Sequence, residues 1–276
     1  METLLARIAA LNNATLPGGR IAFLLGAEQV GWLAPEMAAA VADAAAVHHG
    51  PAGLVLDDPA ALPGLARTLA ERGLMRWRDE AFDVRATPHG PALTTIDRGA
   101  LPAFGIEAQG IHLDGIVRHP DGPHIWIARR AATKALDPGK LDHIVAGGMP
   151  AGFSAMETLV KEAEEEAAMP AELARRARPT GTLRYAMQRP EGLRRDLLHC
   201  YEVDLPADFT PQPRDGEVAG FELWPLPRLA DELRNSDHFK FNVVAVLAAL
   251  LLRHGLITGP DATSLRAAFR IISKEK

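Results

Sequence analysis

The sequence predicts an α/β protein in which helices cover a mixed sheet, with a smaller α+β region in front. Strand-like apolar runs alternate with helical periodicity from residue 106 onward. Short strands and alanine-rich helices fill residues 1–105. A glycine loop at 147–152 runs straight into an acidic helix. The expected division is an N-terminal accessory domain, 1–105, and a main domain, 106–276, in a chain long enough to bury a sizeable core.

Leu4, Leu5, Ile8 and Leu11 recur at helical spacing and predict an opening amphipathic helix. Segments 21–25 and 30–33 flank Gly26-Ala27-Glu28-Gln29 as a hairpin. Small strands and alanine-rich helices continue to residue 85, and Thr87-Pro88-His89-Gly90-Pro91 is punctuation. The main domain is expected to start near Ile106, with strands at 110–117 and 124–130 joined through Pro120-Asp121-Gly122. A buried strand at 141–146 delivers the chain to the glycine loop. Segments 183–188 and 196–205 form a further hairpin around Arg189-Pro190-Glu191-Gly192, 217–224 is a strand, and 225–234 and 237–254 are helical.

The acidic helix has its own start and stop. Ser154 can cap the first turn, Glu157 can complete a capping box, and Pro170 ends the segment. Met156, Leu159, Val160, Ala163 and Ala167 form an apolar stripe, and Glu162, Glu165 and Glu166 fall within one arc beside it. Each pair of like charges so placed is unfavourable by about 0.2–0.5 kcal/mol unless a cation neutralises it. Oxygen ligands of this kind select Mg²⁺, Mn²⁺ or Ca²⁺. An acidic helix face is more often merely solvated. The adjoining glycines, Gly147 and Gly148, shift the balance toward a site, because glycine permits backbone geometries closed to other residues and close approach to a ligand, although it is equally an ordinary turn residue.

The spacing resembles the Nudix box: glycine, Glu after five residues, Arg-Glu after seven more, then an apolar residue, any residue and Glu-Glu. Gly147 opens it and Lys161-Glu162-Ala163-Glu164-Glu165-Glu166 supplies its helical half. Phe153 stands in place of the first Glu, Lys161 in place of the Arg, and Ala168 where a late Gly is usual. Lys134-Ala135-Leu136-Asp137-Pro138-Gly139-Lys140-Leu141-Asp142, Asp215-Gly216-Glu217-Val218 and Phe239-Lys240-Phe241-Asn242 are similar to one branch of that family. It includes the Nudix portion that fungi join to thiamine pyrophosphokinase.

The resemblance implies an α/β/α Nudix sandwich and an Mg²⁺-dependent pyrophosphohydrolase, with Mn²⁺ able to substitute. It implies a small diphosphate substrate, thiamine diphosphate or its oxidised or damaged analogues, cleaved to the monophosphate. The alternatives are a nucleoside-diphosphate derivative such as ADP-ribose or a dinucleotide, or a non-catalytic diphosphate-binding module. Glu162, Glu165 and Glu166 are the expected metal ligands, and Glu162, Glu165 and Glu217 the expected catalytic carboxylates. Gly147 and Gly148 would shape the loop, and Arg194 and Arg195 could pair with the diphosphate. Such an Arg pair is more often exposed strand-end charge, and Glu217 can equally be a solvated strand-edge residue. Arg129 and Arg130 carry the same ambiguity. Trp126 and Trp224 are more often core than stacking platforms, and His143 next to Asp142 makes no triad without a positioned nucleophile.

A formal charge of −5 gives no general pull toward nucleic acid or anionic membrane, so neither is an expected partner. The longest apolar stretch, 243–252, is about half the ~20 residues a spanning helix needs. Glu2 and the lack of a basic opening argue against a signal peptide. Cys200, the sole cysteine, rules out an intrachain disulfide and suits a reducing cytoplasm. A homodimer is left open.

Overall fold

The computed structural model describes residues 1–272. Helix α1 (Glu2–Ala10) comes first, followed by strands β1 (Ile21–Leu25) and β2 (Glu28–Leu33), which form the expected hairpin. Helix α2 (Pro35–Ala42), β3 (Val47–His49), β4 (Gly53–Leu56) and α3 (Leu62–Glu71) complete a small unit. Its sheet has the order β2-β1-β4-β3, with β1 and β4 parallel. A separate hairpin, β5 (Ala81–Val84) and β6 (Thr94–Asp97), and the short helix α4 (Leu101–Phe104) lead into the main domain. Phe23, Leu33, Leu54, Leu62, Phe82 and Phe104 share this unit's core.

The main sheet begins with the long hairpin β7 (Glu107–His119) and β8 (Gly122–Arg130). Two short strands follow, β9 (Leu141–Asp142) and β10 (Val145–Gly148), where one continuous strand was expected. The acidic helix is α5 (Ala155–Ala167), followed by α6 (Ala171–Ala174). Strands β11 (Arg178–Arg189) and β12 (Gly192–Leu205) make the second long hairpin. Then come β13 (Val218–Pro225), α7 (Leu226–Asn235), α8 (Val243–Arg253) and α9 (Gly259–Ile272).

Seven strands pair along the path β11-β12-β7-β8-β13, with β10 on β7 and β9 on β8. The sheet forks. Residues 110–113 of β7 pair with β10, whereas residues 116–119 pair with β8. The break between β9 and β10 follows from this, because one stretch of chain cannot serve two diverging partners. Strands β7 and β12 run parallel, and the other pairings of the sheet are antiparallel.

The two faces of the sheet carry different helices. Ile111, Leu113, Val203 and Leu205 pack with Leu159, Ala163 and Ala167 of α5 on one side. Ile116, Ile125, Leu198 and Trp224 pack with α7 and α8 on the other. Helix α8 is apolar all round because Val243 to Ala248 are all buried. It is shorter than expected: 237–242 is irregular, and Phe239 makes a parallel bridge to Leu141 instead. Helix α9 was not foreseen. Among the described residues, no helix is long and apolar enough to cross a membrane.

Helix α1 departs from the expected division. Although it lies in residues 1–105, its Leu4 and Ile8, with Leu11 just beyond, are buried among α7, α8 and α9 of the main core. Arg7 Nη1 donates to the Leu233 carbonyl at 3.3 Å on the same surface.

Both halves of the α5 capping box form: Glu157 N–H donates to Ser154 Oγ at 3.3 Å and Ser154 N–H to Glu157 Oε2 at 2.9 Å. The helix ends two residues before Pro170, on Ala168 in the left-handed region at φ 52°. A Cβ there is strained, and glycine is the residue that tolerates the conformation. Ala168→Gly should therefore stabilise the protein by about 1 kcal/mol in chemical denaturation. An unchanged or lower midpoint would mean the turn relaxes without cost.

Candidate metal centre and active site

The carboxylates meet where α5 crosses the fork in the sheet. Glu166 is buried, and its Oε2 accepts a 2.9 Å bond from the Ala146 N–H of β10. Ligand atoms of Glu166, Asp215 and Glu217 lie within 4.8 Å of one another. Glu217 precedes β13 and is set by a turn in which its own N–H donates to Asp215 Oδ1 at 2.8 Å. Asp215 was not singled out from the sequence, although the Asp-Gly-Glu turn contains it.

Glu162 lies one helical turn before Glu166 and is 16 % exposed. Burial raises its pKa, Lys161 opposes the rise, and Glu165 and Glu217 add to it. Burial pushes the Glu166 carboxyl well up too, with Glu162, Asp142 and Asp215 adding to the effect and the Ala146 N–H opposing it. Burial would also raise Glu217, but Lys134, Arg98 and Arg130 hold it below its ordinary value. The buried Glu166 and the largely shielded Glu162, held close to the exposed Asp215 and Glu217, are unfavourable alone and favourable around a hard divalent cation. The donor set of Glu166, Asp215 and Glu217, with Glu162 beside it, fits Mg²⁺ or Mn²⁺ in kind: oxygen ligands, with positions left for water and phosphate oxygens.

Gly147 is required by this packing. A Cβ built on it would lie 2.5 Å from Glu162 Cδ and 2.8 Å from its Oε2. The expectation that Gly147 and Gly148 shape the loop now has a specific form, since neither has positive φ. Each is needed for the space a side chain occupies. At Gly148 the intruder is Phe82 of β5, whose Cζ would be 2.6 Å away. Gly147→Ala should leave the fold intact, because the end of a flexible side chain can move, but it should displace the Glu162 carboxyl. A 1 Å misplacement can lower rate by about 10²-fold. Full metal-dependent turnover in Gly147→Ala would show that the position of Glu162 does not matter.

Residues 110–245 match the NUDIX domain family, and residues 60–108 match a domain of unknown function, DUF4743. The chain carries a NUDIX domain of the Nudix hydrolase family. It is 38 % identical over 214 residues to Nudix hydrolase 24, chloroplastic, of Arabidopsis thaliana, covering 76 % of this chain and 59 % of that one. It is 37 % identical over 202 residues to Nudix hydrolase 20, chloroplastic, of the same plant, covering 73 % and 54 %. The chain thus spans little more than half the length of these relatives. Among solved structures, DR0079 from Deinococcus radiodurans is similar over 61 % of this chain and 98 % of that one, at 19 % identity and a TM-score of 0.46.

Within the Nudix domain, the helical half of the box is only partly convergent. Glu165 stands on the exposed side, 47 % exposed, paired with Lys161 at 2.5 Å. It is not brought into the Glu166–Asp215–Glu217 group, because its position on the helix points it outward. Lys161 reaches Glu162 at 3.5 Å as well, so the residue in the Arg position ties two box glutamates together. Phe153, in the first Glu position, is exposed.

The two expected diphosphate arginines are elsewhere. Arg194 faces the α8 side of the sheet, bonded to Asp196 at 2.6 Å beside the buried Tyr185 and lying over the Phe241 ring. Burial would lower its pKa, but Asp196 raises it further, so the pair is fixed in the core. Arg195 donates to the Gly105 carbonyl at 3.2 Å and neighbours Glu107 and Arg184, joining the start of β7 to the end of the N-terminal region. A buried partner holds each of them away from the carboxylates.

The flanking motifs fold into one support. Arg130 Nη1 donates to Asp142 at 2.8 Å while its other nitrogens reach the carbonyls of Leu136 and Asp137. Lys240 lies 3.4 Å from Asp142, the Phe241 N–H donates to Asp137 Oδ2 at 3.2 Å, and Lys134 pairs with Glu217. Burial would raise the Asp142 carboxyl, but Lys240, His112, His143 and Arg130 hold it well below the usual range. Arg129 pairs with Glu222 at 3.5 Å. His143 is buried against Asp114 at 2.8 Å, and Trp224 is in the core. Burial pushes the Cys200 thiol up to about 12, which makes it inert near neutrality.

Proposed function

We propose that this protein is a divalent-metal-dependent pyrophosphohydrolase acting on a small molecule that carries a diphosphate. The observation that carries this reading is the convergence of Glu166, Asp215 and Glu217 beside Glu162, on the helix that begins at the glycine loop. These carboxylates would hold Mg²⁺, for which Mn²⁺ can substitute. When bound, the ion neutralises charge on the diphosphate and lowers the pKa of a water.

The chain's own residues divide the rest. Asp215 and Glu217 come from the turn that enters β13 and Glu166 from helix α5, so the ligand oxygens are supplied by two separate parts of the chain. Glu162, raised by burial and held against Gly147, is the proton acceptor for the attacking water. The water oxygen bonds to phosphorus as the bridging P–O bond breaks, and the bridging oxygen leaves on the other phosphate. The products are a monophosphate and inorganic phosphate when the substrate ends in a diphosphate.

The substrate we propose is thiamine diphosphate or an oxidised analogue of it. What supports this is the resemblance of segments 134–142, 215–218 and 239–242, which pack together against the carboxylate group. A panel of thiamine diphosphate, oxothiamine diphosphate, oxythiamine diphosphate, ADP-ribose and reduced nicotinamide dinucleotide, assayed with Mg²⁺, tests both levels. The highest kcat/KM is expected on an oxidised thiamine diphosphate. A tenfold advantage for a nucleoside derivative, about 1.4 kcal/mol, overturns the thiamine assignment and leaves the hydrolase. Failure to turn over any member would favour a diphosphate-binding module.

A further inference from the structure

We propose that Arg98, carried by the N-terminal region, binds the non-bridging oxygens of the diphosphate beside the metal centre. The proposal rests on the diphosphatase reading above. Arg98 follows β6, and its backbone is fixed by the buried Asp97 carboxylate. That carboxylate accepts from the N–H groups of Arg78 at 2.9 Å, Gly99 at 2.8 Å and Glu80 at 3.1 Å. The Arg98 N–H itself donates to the Glu80 carbonyl at 2.8 Å.

From this anchor the side chain reaches the glycine loop. Its guanidinium carbon lies 5.7 Å from the Phe82 ring centroid and would be 3.7 Å from a Cβ on Gly148. The hairpin that carries it is fastened to the same loop. Ala151 N–H donates to the Ala81 carbonyl at 2.8 Å, and Gly152 N–H to the Asp83 carboxylate at 3.3 Å. Arg98 is therefore held at the lip of the site by backbone bonds on both sides, and it is one of the cations that depress Glu217.

What sets Arg98 apart from its neighbours is that its ion pair is a single, exposed one. Arg130 and Lys240 are committed to Asp142, Lys134 to Glu217, Lys161 to Glu162 and Glu165, and Arg194 and Arg195 to the interior. Arg98 pairs with Glu80 at 2.8 Å in an exposed contact, the two side chains 48 % and 36 % exposed. An exposed pair of this kind contributes little net stability, so an arriving phosphate can displace it. A guanidinium offers two parallel N–H donors to phosphate oxygens, the geometry that a point-charge ammonium lacks. The accessory region thereby becomes one wall of the substrate site.

The test uses the full chain with saturating Mg²⁺ and methylenediphosphonate, whose P–C–P link resists hydrolysis, titrated by calorimetry. Arg98→Ala should weaken probe binding tenfold or more, with the melting temperature unchanged. Arg98→Lys should fall between, and Glu80→Ala should tighten binding severalfold by removing the competing carboxylate. Wild-type affinity in Arg98→Ala overturns the proposal. So does a Glu80→Ala loss as large as that of Arg98→Ala, which would mean that both variants only disturb the hairpin. Metal-dependent hydrolysis abolished by Glu166→Gln alongside unchanged Arg98→Ala binding sinks only the role of Arg98. Failure of the wild type to bind the probe sinks both readings.

Discussion

Glu166→Gln should yield a folded protein that Mg²⁺ no longer stabilises and whose metal-dependent hydrolysis has fallen about 10³-fold. The rate estimate follows from losing about 4 kcal/mol of charge stabilisation once the ion is misplaced. The fold should survive because a Gln oxygen can accept the same bond from the Ala146 N–H that Glu166 accepts at 2.9 Å. Without metal, the variant should be the more stable protein. Glu166 has a raised pKa in the folded chain, so its ionised form opposes folding. That penalty is absent below pH 4.5, the ordinary glutamate value, where both states are protonated, and it grows as pH rises through the folded-state pKa. Melting curves with and without Mg²⁺ between about pH 4 and about pH 8 would reveal both effects. Glu164→Gln is the control, since Glu164 is exposed on the far side of α5. An Mg²⁺-induced rise in melting temperature retained by Glu166→Gln would remove this residue from the centre.

Replacing Glu162 by Gln should lower kcat by about 10²–10⁴, the span for removal of a positioned general base, with little change in KM. The residue sits against Gly147, is largely shielded from water and carries a raised pKa. A proton acceptor benefits from such a setting, because a carboxylate with a raised pKa takes the proton more readily. The split between the two variants is the informative part: Glu162→Gln should keep most of the Mg²⁺-induced stabilisation that Glu166→Gln loses. Equal loss of metal binding in both would make Glu162 a ligand, and unchanged kcat would make it a bystander.

Much of the main domain was legible because its signals are local. The Ser154–Glu157 capping box, the Pro120-Asp121-Gly122 turn and the apolar stripe of α5 each sit within a few residues, and each forms as the spacing suggests. The glycine loop and box glutamates were legible for the same reason. What the spacing could not convey is which partner each side chain finds across the fold. Glu165 and Glu166 are adjacent in sequence, yet one is turned to Lys161 and solvent and the other to Ala146 in the interior. Arg194 and Arg195 lie on opposite faces of β12, and in each case a long-range partner, Asp196 with Tyr185 or Gly105 with Glu107, decides the outcome. Asp215 was within a motif already noted, but its distance to Glu166 spans nearly fifty residues of chain and is visible only after β13 is in place. Arg98 and Phe82 had no signal at all, since nothing in residues 81–98 advertises contact with a loop at 147–152.

The packing of α1 changes how the two parts of the chain can behave together. Helix α1 sits inside the larger core, where Leu4 and Ile8 are fully buried; the chain after it builds the smaller sheet and returns to the larger core at Glu107. The smaller unit is therefore nested within the larger one and does not hang from it by a single linker. Two fully buried aliphatic side chains anchor its leading end with about 1.5–3 kcal/mol each. The Arg195 bond to Gly105 and the parallel pairing of β12 with β7 hold its trailing end. A hinge requires one end to be free to pivot, and here both are pinned. The backbone that carries Phe82 and Arg98 is thus fixed beside the glycine loop, so that engaging a ligand there requires a side chain to change partner and not a domain to swing.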